Sequence, residues 1–366
     1  MSVEATKIFS VKTAETETVG DRKLWLFSPA VDLGVFAGSA VLSLMLLAIG
    51  AQCGILNDES PDWTWISAVL LVDVAHVWAT GFRVYFDPGE LKRRIWLYSL
   101  VPLFGYLVGV ALYSESANLF WRMLAYVAVF HFVRQQYGWV RLYRAKLKEQ
   151  NDWGKWIDTA AIYLATVYPL IYWHANLPRN FQWFVQNDFS ALPQILEKIA
   201  FPIYVFALAV YALKSIYLAL FKNFYNPGKD IVVLTTAVCW YLGIVQFDSD
   251  YAFTVTNVII HGVPYFAIVW FYAKAKRETA AKTYRLFSSN IVFFLSILWL
   301  LAYAEEILWH RSVWHEREWL FGAGWNFEDW KMYFVPLLAL PQITHYVLDG
   351  FIWRRKSNQN LRIIER

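Results

Sequence analysis

Seven histidines occur in this chain of 366 residues, and four of them stand inside apolar stretches: His76, His131, His261 and His345. Neutral imidazole is a nitrogen ligand that suits iron, zinc and copper. Each of the four has polar company about one helical turn away. Asp73 precedes His76 by three residues and Thr80 follows it by four; Arg134 and Gln135 follow His131 by three and four. Asn257 precedes His261 by four and Tyr265 follows by four; Gln342 precedes His345 by three and Asp349 follows by four. Residues three or four apart share a helix face, so these polar groups point with the histidines and away from lipid. A ligating imidazole normally gives its second N–H to a carboxylate, amide or carbonyl, which fixes its tautomer. Asp73, Gln135, Asn257 and Asp349 are the candidates for that role, and Arg134 and Tyr265 are candidates to meet a developing negative charge in catalysis.

The elements that position them are membrane helices. Hydrophobic residues make up 58% of the chain and charged residues 17%, with a mean hydropathy of +0.35. A soluble domain of this length carries about 25% charged residues. The expectation is an all-α, polytopic membrane bundle of about ten helices, over residues 31–52, 63–82, 95–114, 119–140, 156–175, 199–221, 231–247, 252–273, 286–308 and 331–353. Residues 1–30 read as a polar cytoplasmic segment without the order of a cleaved signal, 31–353 as one transmembrane domain, and 354–366 as a basic cytoplasmic tail. Lys and Arg gather in alternate loops, as at Lys92–Arg94, Arg141–Lys148 and Lys274–Arg285, and around Asp58–Asp62 and Asp248–Tyr251 there are none. That alternation predicts both termini on the cytoplasmic side, in a bacterial inner membrane. The inner end of the last helix is expected at Asp349–Lys356, with Trp353 at the headgroup level.

All four histidines fall on even-numbered stretches, which run in one direction. His76 lies 7 residues before Arg83, His131 10 before Arg141, His261 13 before Lys274 and His345 9 before Arg354. At about 1.5 Å per residue they share a layer roughly 10–20 Å above the inner boundary. Ionisable groups at that depth are costly and mark a site or pathway. One imidazole from each of four helices can therefore surround a single metal. His310 and His315, five apart, read as surface-loop residues, and Glu305 and Glu306 as interfacial. The Trp- and Phe-rich segments 176–198 and 309–330 read as caps on the outer face.

Other chemistries are not encoded. No HExxH, phosphate-binding Gly-rich loop or GxSxG elbow occurs, nor do the clustered histidine boxes of membrane desaturases. Cys53 and Cys239 form no CxxC pattern. A net charge of +4 gives no reason to invoke nucleic acid.

Two short pieces carry a family resemblance. Phe130-His131-Phe132 and Thr344-His345-Tyr346-Val347-Leu348-Asp349 resemble histidine motifs of the Brp/Blh beta-carotene dioxygenases. The sequence departs from that pattern: Gln135 stands near where an acid falls, Asp349 comes one residue early, no Pro precedes His345, and the acid near His76 precedes it. The resemblance implies a polytopic iron oxygenase of a long apolar substrate, with histidines on separate helices as ligands. The expected function is a membrane-embedded, iron-dependent oxidoreductase or oxygenase acting on a lipidic or isoprenoid substrate, with membrane lipids and an apolar small molecule as partners. Two alternatives stay open. Pairs of histidines can hold haem b for electron transfer. A transporter or proton relay is hinted at by His261-Gly262-Val263-Pro264, where Gly and Pro could break a helix at mid-membrane.

Overall fold

The computed structural model describes residues 24–56, 60–149, 153–277 and 282–354. Most of the expected N-terminal segment, and all of the basic tail except Arg354, lie outside the described residues. Among the described residues the structure is helical, without strands. The long helices are α1 (Pro29–Cys53), α2 (Asp62–Arg83), α3 (Ile95–Glu115), α4 (Ala117–Lys146), α5 (Trp153–Ala175), α6 (Gln194–Lys222), α7 (Pro227–Gln246), α8 (Asp250–Lys276) and α9 (Ile291–Trp314). The last apolar stretch is two pieces, α10 (Lys331–Leu338) and α11 (Leu340–Ile352), offset at Ala339. Each apolar stretch read from the sequence is thus helical. Seven of these helices, α1, α2, α3 and α6 to α9, are long and apolar enough to cross a membrane, which makes this an integral membrane protein by length and composition.

Local chemistry sets the boundaries. Ser116 ends α3 in extended backbone and caps α4, its hydroxyl accepting from Leu119 N, so a single residue turns the chain around. Asn226 with Pro227, Ser249 and Asn290 start α7, α8 and α9 in the same way. Helix α8 runs through the middle of the bundle and is mostly buried, whereas α3 and α6 are peripheral. Phe104 at 57% and Phe206 at 70% exposure show their outer faces as apolar, which is how a surface facing lipid reads.

Five of the long helices carry π-helical turns: α1 at Leu33–Gly38, α7 at Tyr241–Gln246 and α9 at His310–Trp314, as well as α2 and α8. The π turns that bear on the histidines are Trp65–Val74 in α2 and Thr254–Val258 in α8. Such widened turns rotate everything after them and concentrate at functional sites. Both precede a histidine by only a few residues.

One end of the bundle is tied by a buried ion cluster. Arg144 at the end of α4 donates to Glu149 and to Asp158 on α5; Lys214 on α6 also donates to Asp158. Lys229 on α7 reaches Glu149 at 2.8 Å and Asp158 at 3.2 Å. Charges this deep are tolerated only because every one has partners.

Candidate metal centre

His76 follows the π turn of α2, His131 stands midway along α4, His261 follows the π turn of α8, and His345 is in α11 just past the offset. The structure brings all four together. One ligand atom from each lies within 4.8 Å of the other three. His76 Nε2 and His261 Nε2 are 3.2 Å apart, and His131 Nε2 and His345 Nε2 are 3.1 Å apart. All four rings are buried, none more than 3% exposed. Close approach of α8 to α2 depends on Gly262: a Cβ there would stand 2.5 Å from Val72 Cγ1. The His261 ring is stacked flat on Phe132, centroids 3.6 Å apart.

A metal ion fits this set. Imidazole nitrogens bind at about 2.0–2.1 Å, which puts neighbouring ligand atoms roughly 3–4 Å apart. The nitrogens face one another in a dry core, where each N···N pair can share at most one proton. His76 Nδ1, His261 Nδ1 and Asp73 Oδ1 are moreover buried without hydrogen-bond partners. These orphan atoms lie on the far side of the rings from the facing Nε2 atoms, so it is the convergence of the four imidazoles that makes the group able to hold an ion.

The groups expected to hold the imidazoles are partly redistributed. Asp73 Oδ1 lies 3.6 Å from His76 Nδ1, as its spacing predicts. Asp349 does not serve His345 on its own helix; its Oδ2 lies 3.8 Å from His131 Nδ1 across on α4. His345 Nδ1 is instead 2.7 Å from Thr80 Oγ1 of α2. Tyr265 joins these two arrangements, donating its hydroxyl to Asp349 Oδ1 at 2.7 Å and lying 3.2 Å from Thr80 Oγ1.

Four expectations are corrected. Asn257 does not hold His261: its amide donates to Thr256 Oγ1, and a Cβ on Gly243 of α7 would lie 2.4 Å from its Nδ2. The π turn between the two residues accounts for this, since four residues then no longer return to the same face. Gln135 donates to the backbone carbonyl of His261 at 2.7 Å, so it supports the helix and not the His131 ring. Arg134 makes no hydrogen bond or ion pair with the cluster; it donates to the Tyr163 hydroxyl and stands 4.9 Å from the centre of the Tyr137 ring. Trp353 turns inward and donates to Asp349 Oδ1 at 3.0 Å, and helix α11 ends at Ile352.

Residues read as peripheral prove to be interior. His310 is 3% exposed, stacked on Phe321, with its Nε2 3.4 Å from Glu306 Oε2. Glu305 and Glu306 are buried too, Glu305 accepting from Trp78 Nε1 at 2.6 Å, from Trp309 and from Gln342. The i,i+4 pair Glu306 and His310 was the available signal. His315 is exposed, in keeping with its surface reading.

Two cavities flank the cluster. One, of about 310 Å³, is lined by Asp73, Glu306, His310 and Gln342 and is covered by the segments around Phe181–Phe184 and Glu316–Arg317, which therefore cap one end of the bundle. The other, about 580 Å³, is mainly apolar and reaches His131, Tyr265 and Asp349. Tyr346 lines both.

Fold and site together define a helical membrane protein with a buried four-histidine group able to hold a metal ion. Comparison with family models, with curated proteins and with solved structures finds no match to this chain.

Proposed function

We propose that the chain is a membrane-embedded, iron-dependent oxygenase or related oxidoreductase of a lipidic or isoprenoid substrate. The observation that carries this reading is the convergence of His76, His131, His261 and His345 beside an apolar cavity of about 580 Å³. That volume is within the roughly 300–1,000 Å³ of small-molecule sites. Iron held by neutral imidazoles supplies one-electron and dioxygen chemistry. The protein's part is to hold the rings through Asp73, Thr80 and Asp349 and to keep water out of a dry core. Tyr265, hydrogen-bonded to Asp349 on the cavity wall, is placed to position a proton there. The short histidine motifs resembling the Brp/Blh dioxygenases agree with this reading.

The haem reading has less support. A bis-imidazole haem needs a flat slot between two rings, and here the other two imidazoles occupy that space, with His76 and His345 centroids 4.8 Å apart and His131 and His261 5.1 Å apart. The transporter reading loses its hint as well, because α8 continues through Gly262 and Pro264 to Lys276. Ten crossings with both termini cytoplasmic, in a bacterial inner membrane, complete the proposal.

Metal analysis and an absorption spectrum of the purified protein test it. One iron per chain without a Soret band is expected, together with incorporation of isotopically labelled dioxygen into an apolar lipid. A Soret band, or stoichiometric zinc, would overturn the iron assignment.

A further inference from the structure

The larger cavity carries charge as well as apolar surface, and the charge has one sign where it is unused. One face of α4 lines it lengthwise through His131, Arg134, Gly138 and Arg141, and α11 forms the facing wall with Asp349 and Gly350. Arg134 is three residues beyond His131, about 4.5 Å along the helix axis, and Arg141 about 15 Å. Neither arginine has a carboxylate partner among the described residues: Arg134 meets only Tyr163 and Tyr137, and Arg141 makes no hydrogen bond or ion pair there. The one acid in the cavity, Asp349, is already engaged by Tyr265 and Trp353 at its deep end. Arg134 is exposed to this cavity, and in the proposed topology it lies within one turn of the histidine layer, where a guanidinium without a counter-charge is expensive and marks a ligand site. The walls are also bare where a path would run: a Cβ added to Gly138 or to Gly350 would meet nothing within 4 Å. Glycine in mid-helix costs stability relative to alanine, so two of them facing open space serve the space and not the packing.

We propose that this cavity takes a membrane amphiphile with an anionic head, a carboxylate or phosphate, seated between Arg134 and Arg141. The bare backbone of Gly138 and Gly350 leaves room beside the head, and the chain runs on past Arg134 to bring its reacting part to His131. This names the substrate class of the oxygenase proposed above and rests on that reading. Arginine suits both heads, because its planar fork matches either anion with two parallel hydrogen bonds.

The test uses the purified full chain in neutral detergent, with parinaric acid as a fluorescent probe and its alcohol as the neutral counterpart. The acid should bind at least about 10-fold more tightly than the alcohol, the value of one charge-assisted hydrogen bond. R134Q and R141Q should remove that preference while leaving alcohol binding unchanged. G138L, whose side chain enters open space and so spares the fold, should weaken both probes. Competition by dodecyl phosphate against laurate then assigns the head: stronger displacement by either one supports the proposal and names the group. Equal binding of acid and alcohol, or R134Q and R141Q both without effect, would overturn it. Iron content, measured on the same samples, separates the two readings. Selective acid binding by a protein that takes up no iron supports the amphiphile site and overturns the oxygenase reading alone.

Discussion

Thr80 Oγ1 and His345 Nδ1, on α2 and α11, are 2.7 Å apart in a dry core, and this contact joins the helix that carries His76 to the helix that carries His345. Thr80 fixes which nitrogen of His345 faces the other histidines. T80V should therefore weaken metal affinity about 10–100-fold, as loss of such supporting contacts does, and T80S should restore most of it. Metal titration of the apo protein reads both; unchanged affinity in T80V would show that the contact is incidental.

Asp349 reaches His131 across the bundle, and Asn257 reaches no ligand at all. D349N is expected to cost about 10–100-fold in metal affinity. N257A should keep full metal content in whatever fraction folds. The reverse ranking, by metal analysis of the two variants, would mean that spacing along the sequence outweighs the geometry described above.

Gly262 sets the separation of α2 and α8. A methyl there would press on Val72 Cγ1 at 2.5 Å and on the Val72 carbonyl at 3.3 Å. G262A should destabilise the protein by about 1–3 kcal/mol, as overpacking does. It should also pull His261 from His76, so metal is lost at temperatures where the helices are still formed. Circular dichroism beside metal release would detect the two events separately.

The proposed orientation is tested by reporter fusions after Arg144 and after Ser249, which should give opposite signals. Equal signals would remove the ten-crossing topology but leave the histidine cluster untouched.

Acid sensitivity should concentrate at Glu90, in the short helix Pro88–Arg93 between α2 and α3. Burial opposes its charge, but hydrogen bonds from Arg93 and Tyr98 and the nearby Arg83 outweigh it and hold the carboxyl below its ordinary 4.5. A carboxylate whose folded pKa is depressed stabilises the fold above the unfolded value, and this contribution is lost as pH falls through the folded one. Wild type should lose thermal stability in detergent as pH falls below about 5 and on through the folded value, with the Glu90 share absent from E90Q. Parallel curves for the two proteins would assign acid lability elsewhere.

The sequence disclosed the helices and the four ligand candidates because both depend on local patterns: apolar length, and one histidine per stretch at a common depth. Asp73 stands 3.6 Å from His76 Nδ1, as the spacing suggests, even though the π turn of α2 ends between the two residues. Asn257 was misplaced because a π turn intervenes, and hydrophobic residues on all sides of a buried helix give no sign of that turn. Thr80 meets His345 and Asp349 meets His131, each on another helix, because contacts across helices depend on rotation of each helix about its axis, which no spacing within one stretch reveals. Glu305, Glu306 and His310 looked interfacial only because depth was counted from the helix end. The segments that fold over them, around Phe181–Phe184 and Glu316–Arg317, are brought there by long-range packing.

The ion cluster that ties α4 to α7 constrains how the chain is made. Lys214 is eight residues short of Lys222 at the end of α6, about 12 Å into the span. Its partner Asp158 is on α5. In the proposed ten-crossing topology neither helix can settle alone in hydrocarbon without leaving a bare charge there, so a biosynthetic machine that releases helices singly would hold α5 until α6 arrives and deliver them as a pair. Arg144 and Lys229 extend the same dependence to α4 and α7, so the stretch from Ala117 to Gln246 becomes the smallest segment expected to leave the translocation site together.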